Sequence, residues 1–307
     1  MIRYDAAMSD SRPRKKRRSD DPRKTSKGRK PGMHRPGGPH TQRGETAAGA
    51  APGTSWDHVA AWYDQLVGET GCDYHQHVIL PAAIELLSVT HGQRVLDLAC
   101  GQGVLARRLV EHGAAEVVGV DASEKLIAAA SDRAAGDRRL KFVTGDVRRL
   151  WTALPSGERG KFDAAACIMA VHDFDPIEPA FMGAAEALRP GGVMVVIMMH
   201  PCFRVPRQSS WGWDEAKATQ YRRLDRYATP MTIPISVSPG RDPSQQTQYF
   251  HRPLEQYVNA LGAAGMGVTA CRELLSHRRS EPGARSRGEN RAKGEFPLFL
   301  ALKAEKE

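Results

Sequence analysis

The sequence has few cysteines, and none of them is spaced for a disulfide framework or a zinc knuckle. Five cysteines occur among 307 residues, each standing alone without a CxxC pair, and this pattern argues against both kinds of site. Asp73, His75 and His77 are of metal-ligand type, but they fall in a predicted helix, where residues two apart face different directions. We therefore expect no metal site there.

Long apolar runs are also missing from the sequence. No segment approaches the ~20 apolar residues of a membrane helix, and the N-terminus lacks the continuous apolar stretch of a secretory signal. We therefore expect a cytoplasmic protein without a membrane span.

The excess of basic charge is confined to the N-terminal segment. Residues 1–52 hold 14 Lys and Arg against 5 Asp and Glu, which accounts for the whole net charge of +9, so the remaining residues balance. The segment has almost no apolar residues that could offset the entropy of ordering it. We predict a disordered basic tail over residues 1–52 and a folded domain over residues 53–307. The tail could bind nucleic acid, act as a solubilising extension, or precede a later start at Met33.

Helical and strand periods begin at Trp56. WDHVAAWYDQLV predicts a helix, and a second helix around residues 74–88 has Pro81 at the start of a turn. The strands predicted next are residues 94–98, 116–120, 140–144, 162–168 and 193–199, and the helices between them are residues 103–112, 123–135 and 176–188. Strands that alternate with helices indicate a parallel sheet covered on both faces, and hence an α/β fold.

The C-terminal part departs from this alternation. Residues 200–250 are irregular by pattern and rich in proline and aromatic residues, and we predict that they form a lid over a ligand pocket or, alternatively, a small subdomain. An amphipathic helix follows over residues 254–264. Two apolar runs, GVTACRELL and FPLFLALKA, flank the polar segment 276–295, in which we predict no crossover helix. The two runs therefore predict an antiparallel closing pair.

A carboxylate follows each of the first three predicted strands. Asp97 lies in DLACGQG, Asp121 in VDAS and Asp146 in TGDV. Ligands of open parallel sheets bind beyond the carboxyl ends of the strands, so these three side chains should lie on one rim.

Two kinds of cofactor fit the glycine turn that contains Asp97. GQGVLA matches the dinucleotide pattern, and Asp121 follows Gly103 by 18 residues, close to the ~20 expected for an acid that binds ribose. A dinucleotide, however, would bring two phosphate charges near Asp97, and like charges repel in a partly desolvated cleft. S-adenosylmethionine has no phosphate and carries a sulfonium and an ammonium, so an acidic residue in the turn favours it.

The segments DLACGQG, VVGVDAS, GDV and LRPGG, in this order and spacing, resemble the motifs of class I S-adenosylmethionine-dependent methyltransferases. The resemblance is to their type 11 group, which includes quinone and other small-molecule methyltransferases. It spans residues 56–303 and is most specific over residues 95–192. Ala99 stands in place of the first glycine of the family's usual motif, a variant common in that group. The implied fold is a Rossmann-like three-layer α/β/α sandwich with a mostly parallel seven-stranded sheet, an antiparallel last strand and an inserted lid.

The resemblance also implies roles for individual residues. Asp97 would support the methionine end of the cofactor, Asp121 would accept hydrogen bonds from the ribose hydroxyls, and Asp146 would accept one from the adenine amino group. Each has a structural alternative: Asp97 could cap a helix, Asp146 could be an ordinary turn residue, and Tyr63 could be a core residue. The implied cofactor-binding residues are Tyr63, Asp97, Ala99, Gly101, Gly103, Asp121, Ala122, Asp146 and Val147.

Candidate catalytic residues follow the fourth and fifth strands. His172 with Asp173, and His200, fall at the same rim and could remove a proton from an acceptor. The alternative is that both histidines only hydrogen-bond backbone or water.

The resemblance favours transfer of a methyl group to a small molecule by in-line displacement. The domain is neutral overall, and AVHD follows the fourth strand, where amino-directed nucleic-acid and protein enzymes carry an N-P-P-Y type tetrapeptide. One alternative is an RNA or protein methyltransferase that docks nucleic acid through its tail. The other is a non-catalytic cofactor-binding scaffold.

Overall fold

The computed structural model describes residues 56–236 and 246–307. The predicted basic tail, residues 1–52, lies outside the described residues, so its disorder stays a prediction. Among the residues that are described, no helix is long and apolar enough to cross a bilayer.

Strands and helices alternate through the first part of the domain and give way to strand pairs in the second. The strands are β1 Arg94–Leu98, β2 Glu116–Asp121, β3 Leu140–Thr144, β4 Phe162–Ile168, β5 Leu188–Met199, β6 Ser209–Asp214, β7 Thr219–Leu224, β8 Met231–Ser236, β9 Gln246–His251, β10 Met266–Leu274 and β11 Phe299–Lys306. The helices are α1 Ala60–Val67, α2 Leu80–Leu87, α3 Val104–Glu111, α4 Glu124–Ala134, α5 Leu150–Ala153, α6 Glu178–Ala187, α7 Leu254–Ala263 and α8 Ser286–Glu295.

Seven strands form the central sheet, in the order β10–β11–β5–β4–β1–β2–β3. All are parallel except β11, which runs antiparallel to both β5 and β10. The predicted α/β fold, the mostly parallel sheet and the antiparallel closing pair are therefore confirmed.

Strand β1 lies in the middle of this sheet and is apolar on both faces. Leu96 and Leu98 belong to the core on one side of the sheet, and Val95 belongs to the core on the other. Its neighbours are β2 on one side and β4 on the other, so the chain reverses its direction of travel across the sheet here. A crevice opens beyond strand ends at such a point, which makes the residues after β1 the first candidates for a site.

The helical segment before β1 is continuous but irregular. Pro81 lies in the first turn of α2, as predicted, and a π-helical turn, His75–Ile79, precedes it. In that turn the Leu80 N–H donates to the carbonyl of His75, five residues back. Single π-helical turns occur often at functional sites, and this one lies at the cleft described below.

The segment predicted to be irregular contains two antiparallel strand pairs, β6–β7 and β8–β9. These strands escape a pattern analysis because they pair only with each other and therefore lack long apolar runs. The first pair is held by cross-strand contacts such as Trp211 opposite Arg222, whose guanidinium stacks over the indole at 4.9 Å. This packing supports the alternative in which Trp211 and Arg222 hold a small subdomain together.

Helix α8 lies within the polar segment where no helix was predicted. Ala292 is its buried residue, so its sequence carries little apolar periodicity. At Gly288 the helix approaches β6 closely, because an added Cβ would lie 2.7 Å from the Trp213 ring. The helix therefore packs on Trp213 and on the carbonyl of Ala218, and not through an apolar stripe.

The turn between β1 and α3 depends on left-handed backbone. Gly103 has φ +77°, and a Cβ added there would lie 2.6 Å from the ring of Phe142. The preceding Gly101 has φ +56°, and Ala99, in place of the family's usual glycine, has φ +54°. The turn thus tolerates one alanine where there is room for its side chain.

We expect Gly103→Ala to lower the free energy of unfolding by about 2–4 kcal/mol, because it adds left-handed strain to overpacking against Phe142. The matched control is Gly262→Ala in α7, where an added Cβ meets nothing within 4 Å. This control should stabilise the helix by about 0.5–1 kcal/mol. Urea unfolding of both variants checks this, and a Gly103→Ala variant as stable as the native protein would contradict it.

Candidate functional site

The candidate site is built on the turn after β1. The Cys100 N–H donates to the carbonyl of Val120 at 3.1 Å, and the Gly103 N–H donates to the carbonyl of Cys100 at 3.0 Å. The Gly101 N–H donates to Asp121 Oδ2 at 2.9 Å. The turn is therefore fixed to the end of β2 before any ligand enters.

Asp97 is buried at this turn with an unsatisfied oxygen. Its side chain is 2% exposed, and its Oδ2 has no hydrogen-bond partner among the described residues. Burial, together with the negative charge of Asp121, raises the pKa of Asp97 to about 8. An uncompensated carboxyl of this kind is costly to keep in a folded protein, and a positively charged ligand would relieve that cost.

Asp121 connects the turn to α4. Its Oδ1 accepts the Ser123 N–H at 2.8 Å, and its Oδ2 accepts the Gly101 N–H at 2.9 Å. Burial raises the pKa of Asp121, and these two hydrogen bonds oppose that shift. Each carboxylate oxygen can accept a further bond, so the ribose role stays open, and Ala122 lies exposed beside it.

A small cleft that is partly open to solvent lies against the turn. Its lining includes Tyr63, His75, Asp97 and Ala99. Tyr63 lies directly over Gly101, since a Cβ added at the glycine would be 3.5 Å from the phenol ring. The structure therefore brings together an aromatic cover, the glycine turn and a buried acid.

Asp146 and Val147 lie at the end of β3 in a different environment. Asp146 accepts the Arg148 N–H at 2.9 Å and pairs with the guanidinium of the same residue, with Arg148 Nη2 2.8 Å from Oδ2. Although partial burial opposes it, this bonding lowers the pKa of Asp146. The structure shows the turn-capping arrangement that was the alternative for Asp146, and its adenine contact stays a prediction. Val147 is buried.

A further acid, Asp173, adds to the negative character of this rim. Burial and the negative charge of Asp121 raise the pKa of Asp173 well above its usual range. Asp97 and Asp121 lie at the ends of β1 and β2, and Asp173 follows β4; these three strands are neighbours in the sheet. Two buried carboxyls and a half-buried one therefore raise the electrostatic cost of any anionic guest.

His172 is buried beside them and is neutral. Burial, and secondarily the positive charge of Arg252, lower its pKa to about 3. Its ring packs on Tyr249 with centroids 4.7 Å apart, and its carbonyl accepts the Phe250 N–H at 2.7 Å. Strand β9 thus lies over the residues that follow β4, and His172 Nδ1 has no hydrogen-bond partner within the described ranges.

His200 has both ring nitrogens engaged. The Cys202 N–H donates to Nδ1 at 3.2 Å, so Nε2 carries the hydrogen and donates to Glu273 Oε1 at 2.9 Å. Burial lowers the pKa of His200, and Glu273 opposes the shift. This is the structural hydrogen bonding that was the alternative for His200, and its role as a base stays a prediction.

Two polar residues that line the cleft were not predicted as cofactor-site residues. His75 lines the cleft and its Nδ1 lies 2.9 Å from Cys72 Sγ, while burial lowers its pKa to about 4. Gln102 donates to the carbonyl of Gly68 at 2.7 Å, and its Oε1 is buried without a partner among the residues described. The π-helical turn that places His75 could not be inferred from periodicity.

These residues suit a cationic ligand better than a diphosphate. A phosphate held at a glycine turn takes backbone N–H groups, yet Asp121 already accepts the N–H of Gly101. Two residues of the lining have an unsatisfied oxygen, Oδ2 of Asp97 and Oε1 of Gln102, and both oxygens are acceptors and not donors. The residues present therefore fit the sulfonium-bearing cofactor implied by the sequence.

Comparison with known proteins agrees with this geometry. Residues 95–192 match the model of a methyltransferase domain. A demethylmenaquinone methyltransferase of Beutenbergia cavernae is 31% identical over 191 residues, which are 60% of this chain and 68% of that protein. A ubiquinone biosynthesis O-methyltransferase of Sinorhizobium fredii is 30% identical over 175 residues, or 55% of this chain and 67% of that protein.

A solved structure shows the same fold. The crystal structure of an S-adenosylmethionine-dependent methyltransferase from Mesorhizobium loti has a TM-score of 0.57 and 29% sequence identity. The similarity covers 74% of this chain and 96% of that one, so it extends well beyond the segment that matches the domain model.

Asp97 should make the ligand-free protein less stable as the pH rises. Its pKa is about 8 in the folded state and about 3.9 in an unfolded chain. Between these values the folded state holds a proton that the unfolded state has lost, so the stability contributed by this group is full below about pH 4 and is lost as the pH rises through 8.

We therefore expect Asp97→Asn, which is neutral at every pH, to be more stable than the native protein at about pH 8.5, with a smaller difference at about pH 5. Urea unfolding without ligand at both pH values measures this, with the exposed Asp132→Asn as control. A difference between Asp97→Asn and native protein that does not vary with pH would refute the expectation.

Proposed function

The chain belongs to the class I S-adenosylmethionine-dependent methyltransferases, and from this premise we propose that it methylates a small-molecule acceptor by in-line displacement. Its cofactor is S-adenosylmethionine, which supplies a methyl group activated by the sulfonium. In such a displacement the protein contributes mainly alignment and exclusion of water.

We assign the cofactor-binding roles to the residues around the turn after β1. Asp97 would face the positively charged methionine end, and its unsatisfied Oδ2 is the observation that carries this assignment. Gly101 and Gly103 would let the backbone approach, with Ala99 at the start of the turn. Tyr63 would cover the cofactor from above Gly101.

The ribose and adenine ends of the cofactor would lie along the next two strand ends. Asp121 would bind the ribose hydroxyls while it continues to hold the turn, and Ala122 would flank it. Asp146 and the N–H of Val147 would contact adenine only if the Arg148 guanidinium left room beside the Asp146 carboxylate.

A small-molecule acceptor is supported by how the rim beyond β4 is covered. Strand β9 packs over His172 through Tyr249, and both side chains are buried. A rim that is covered by packed aromatic side chains suits a small planar molecule better than a folded macromolecule. The names of two relatives refer to demethylmenaquinone and to ubiquinone biosynthesis, which supports a quinone-like acceptor. The described residues 200–236 and 246–250 would then act as the lid.

Asp173 matches the needs of a catalytic base better than His172. A raised pKa makes a carboxylate a stronger base, and a lowered pKa makes an imidazole a weaker one. The pKa of His172 is lowered to about 3, whereas that of Asp173 is raised. We therefore propose that Asp173 removes the acceptor's proton and that neutral His172 orients the acceptor through a hydrogen bond.

Methyl transfer can be tested with cofactor labelled in its methyl group. We expect label to enter compounds of a metabolite extract and not total RNA or protein. Label in RNA or protein alone would indicate a macromolecular acceptor, and no label in any fraction would indicate a non-catalytic cofactor-binding protein.

Cofactor binding can be tested without knowledge of the acceptor. We expect Asp97→Ala and Asp121→Ala each to weaken S-adenosylmethionine binding by about 10- to 150-fold, the loss of one charged hydrogen bond of ~1.5–3 kcal/mol. Calorimetry measures the affinities, with Asp132→Asn on the exposed face of α4 as control. Native-like affinity in a correctly folded Asp97→Ala would refute the assignment.

The base can be identified from pH profiles with a metabolite that accepts label. If Asp173 is the base, the native rate should rise with pH and level off above its raised pKa. Asp173→Asn should be slower by about 10²- to 10⁴-fold with a flat profile. His172→Gln should keep the native profile and mainly raise KM for the acceptor. An Asp173→Asn profile that still rises like the native one would exclude this role.

A further inference from the structure

A second polar cluster lies outside the cofactor cleft, where the start of the second helical segment meets the residues after β10. Asp73, His77 and His277 each offer one ligand atom, and these atoms all lie within 4.8 Å of one another. His277 Nε2 is 2.9 Å from Asp73 Oδ2, and His77 Nδ1 is 3.5 Å from Asp73 Oδ1. Two segments far apart in the chain thus converge at one point.

The cluster is open to solvent, and its two histidine rings are stacked. The rings of His77 and His277 stack with centroids 4.8 Å apart and planes inclined by 18°. Their side chains are 56% and 29% exposed, and that of Asp73 is 40% exposed. An ion can therefore reach the cluster and retain water ligands.

We propose that Asp73, His77 and His277 bind a divalent transition-metal ion, represented by Zn²⁺. Two imidazole nitrogens and one carboxylate oxygen form a ligand set typical of zinc, whereas Ca²⁺ and Mg²⁺ prefer oxygen ligands. Water would fill the fourth position. The proposal revises the expectation that this stretch holds no metal.

The separations between the ligand atoms are compatible with zinc coordination. Zn–N bonds of about 2.0–2.1 Å in a tetrahedral site place neighbouring ligand atoms about 3.3 Å apart. Asp73 Oδ1 lies 3.5 Å from His77 Nδ1, close to this value, whereas the 2.9 Å contact of His277 Nε2 is with the other oxygen, Oδ2. The three ligand atoms all lie within 4.8 Å of one another, so rotations of these exposed side chains would bring them to zinc-binding separations.

Two interactions compete with the ion. Arg278 Nε donates to Asp73 Oδ2 at 2.7 Å, and His77 Nδ1 lies 2.9 Å from the carbonyl of Asp73. The Arg278 bond occupies Oδ2 of Asp73 and leaves Oδ1 available for the ion. The contact of His77 Nδ1 with the Asp73 carbonyl would be replaced by a metal bond if Nδ1 binds the ion, and it would persist if Nε2 binds the ion.

The position of the cluster indicates what the ion would do. His75 lies between Asp73 and His77 in sequence but lines the cofactor cleft. On the outer side, Tyr74 Oη lies 3.0 Å from Ser276 Oγ. The ion would therefore fasten the π-helical turn that carries His75 to the segment that follows β10, and it would raise the stability of the folded protein because it binds that state alone.

The test is a Zn²⁺ titration of the full chain, without an affinity tag, in competition with a chromophoric chelator. We expect the native protein to bind Zn²⁺ with micromolar affinity and to melt at a higher temperature in its presence. Loss of an outer-shell partner already costs metal sites about 10- to 100-fold in affinity, so His77→Gln and His277→Gln should each cost at least about tenfold.

The matched control is His112→Gln. That ring is also exposed, and its Nδ1 lies 2.8 Å from the helix carbonyl four residues back, as in His77. It should leave the affinity for Zn²⁺ unchanged. Co²⁺ bound to the native protein should give visible absorption bands without a thiolate charge-transfer band, a readout that needs no variant.

Three results would overturn the proposal. The first is no micromolar binding by the native protein, which would leave only a hydrogen-bonded ion cluster. The second is equal affinity in native protein and both histidine variants, and the third is a thiolate band with Co²⁺, which would place the ion on cysteine. None of these results bears on methyl transfer, so the two proposals fail separately.

Discussion

The site depends on the burial of two carboxyls at the ends of adjacent strands. Asp97 at the end of β1 and Asp121 at the end of β2 lie in a region that water hardly reaches. Burial, and secondarily the charge of Asp121, makes the ionised form of Asp97 harder to keep. Asp121 is compensated by two backbone N–H groups, whereas Asp97 keeps an unsatisfied oxygen. The ligand-free protein therefore holds an electrostatic cost that a cationic cofactor would remove if it bound beside Asp97, as proposed.

The same pair of acids explains how a glycine turn can select against phosphate. Glycine turns normally offer their N–H groups to an anion. Here the N–H of Gly101 donates to Asp121 and is not available to a ligand. The turn therefore offers a carboxylate where a phosphate site would offer an N–H donor. The geometry of the turn resembles that of a dinucleotide site, but the sign of the charge that it favours is reversed.

Residues that are neighbours in sequence face different parts of the structure. This holds at the proposed metal cluster and at the proposed acceptor site. The π-helical turn directs His75 to the cleft, while Asp73 and His77 lie on the outer side with His277. Beyond β4, burial shifts the pKa values of two neighbouring residues in opposite directions. It lowers the pKa of His172 and raises that of Asp173, because it favours the neutral form of each. In the proposed mechanism, these adjacent residues divide acceptor binding and proton transfer between them.

The sequence by itself determined the α/β fold, the strand boundaries of β1, β3 and β4, and the acids at the sheet's rim, because apolar periodicity and glycine turns are local signals. It also indicated the cofactor, through the charge of Asp97. Only the tertiary structure decided the pairing of Asp146 with Arg148, the strand pairs β6–β7 and β8–β9, the entry of His75 into the cleft and the meeting of His77 with His277. Each of these depends on contacts between segments whose proximity no local pattern encodes.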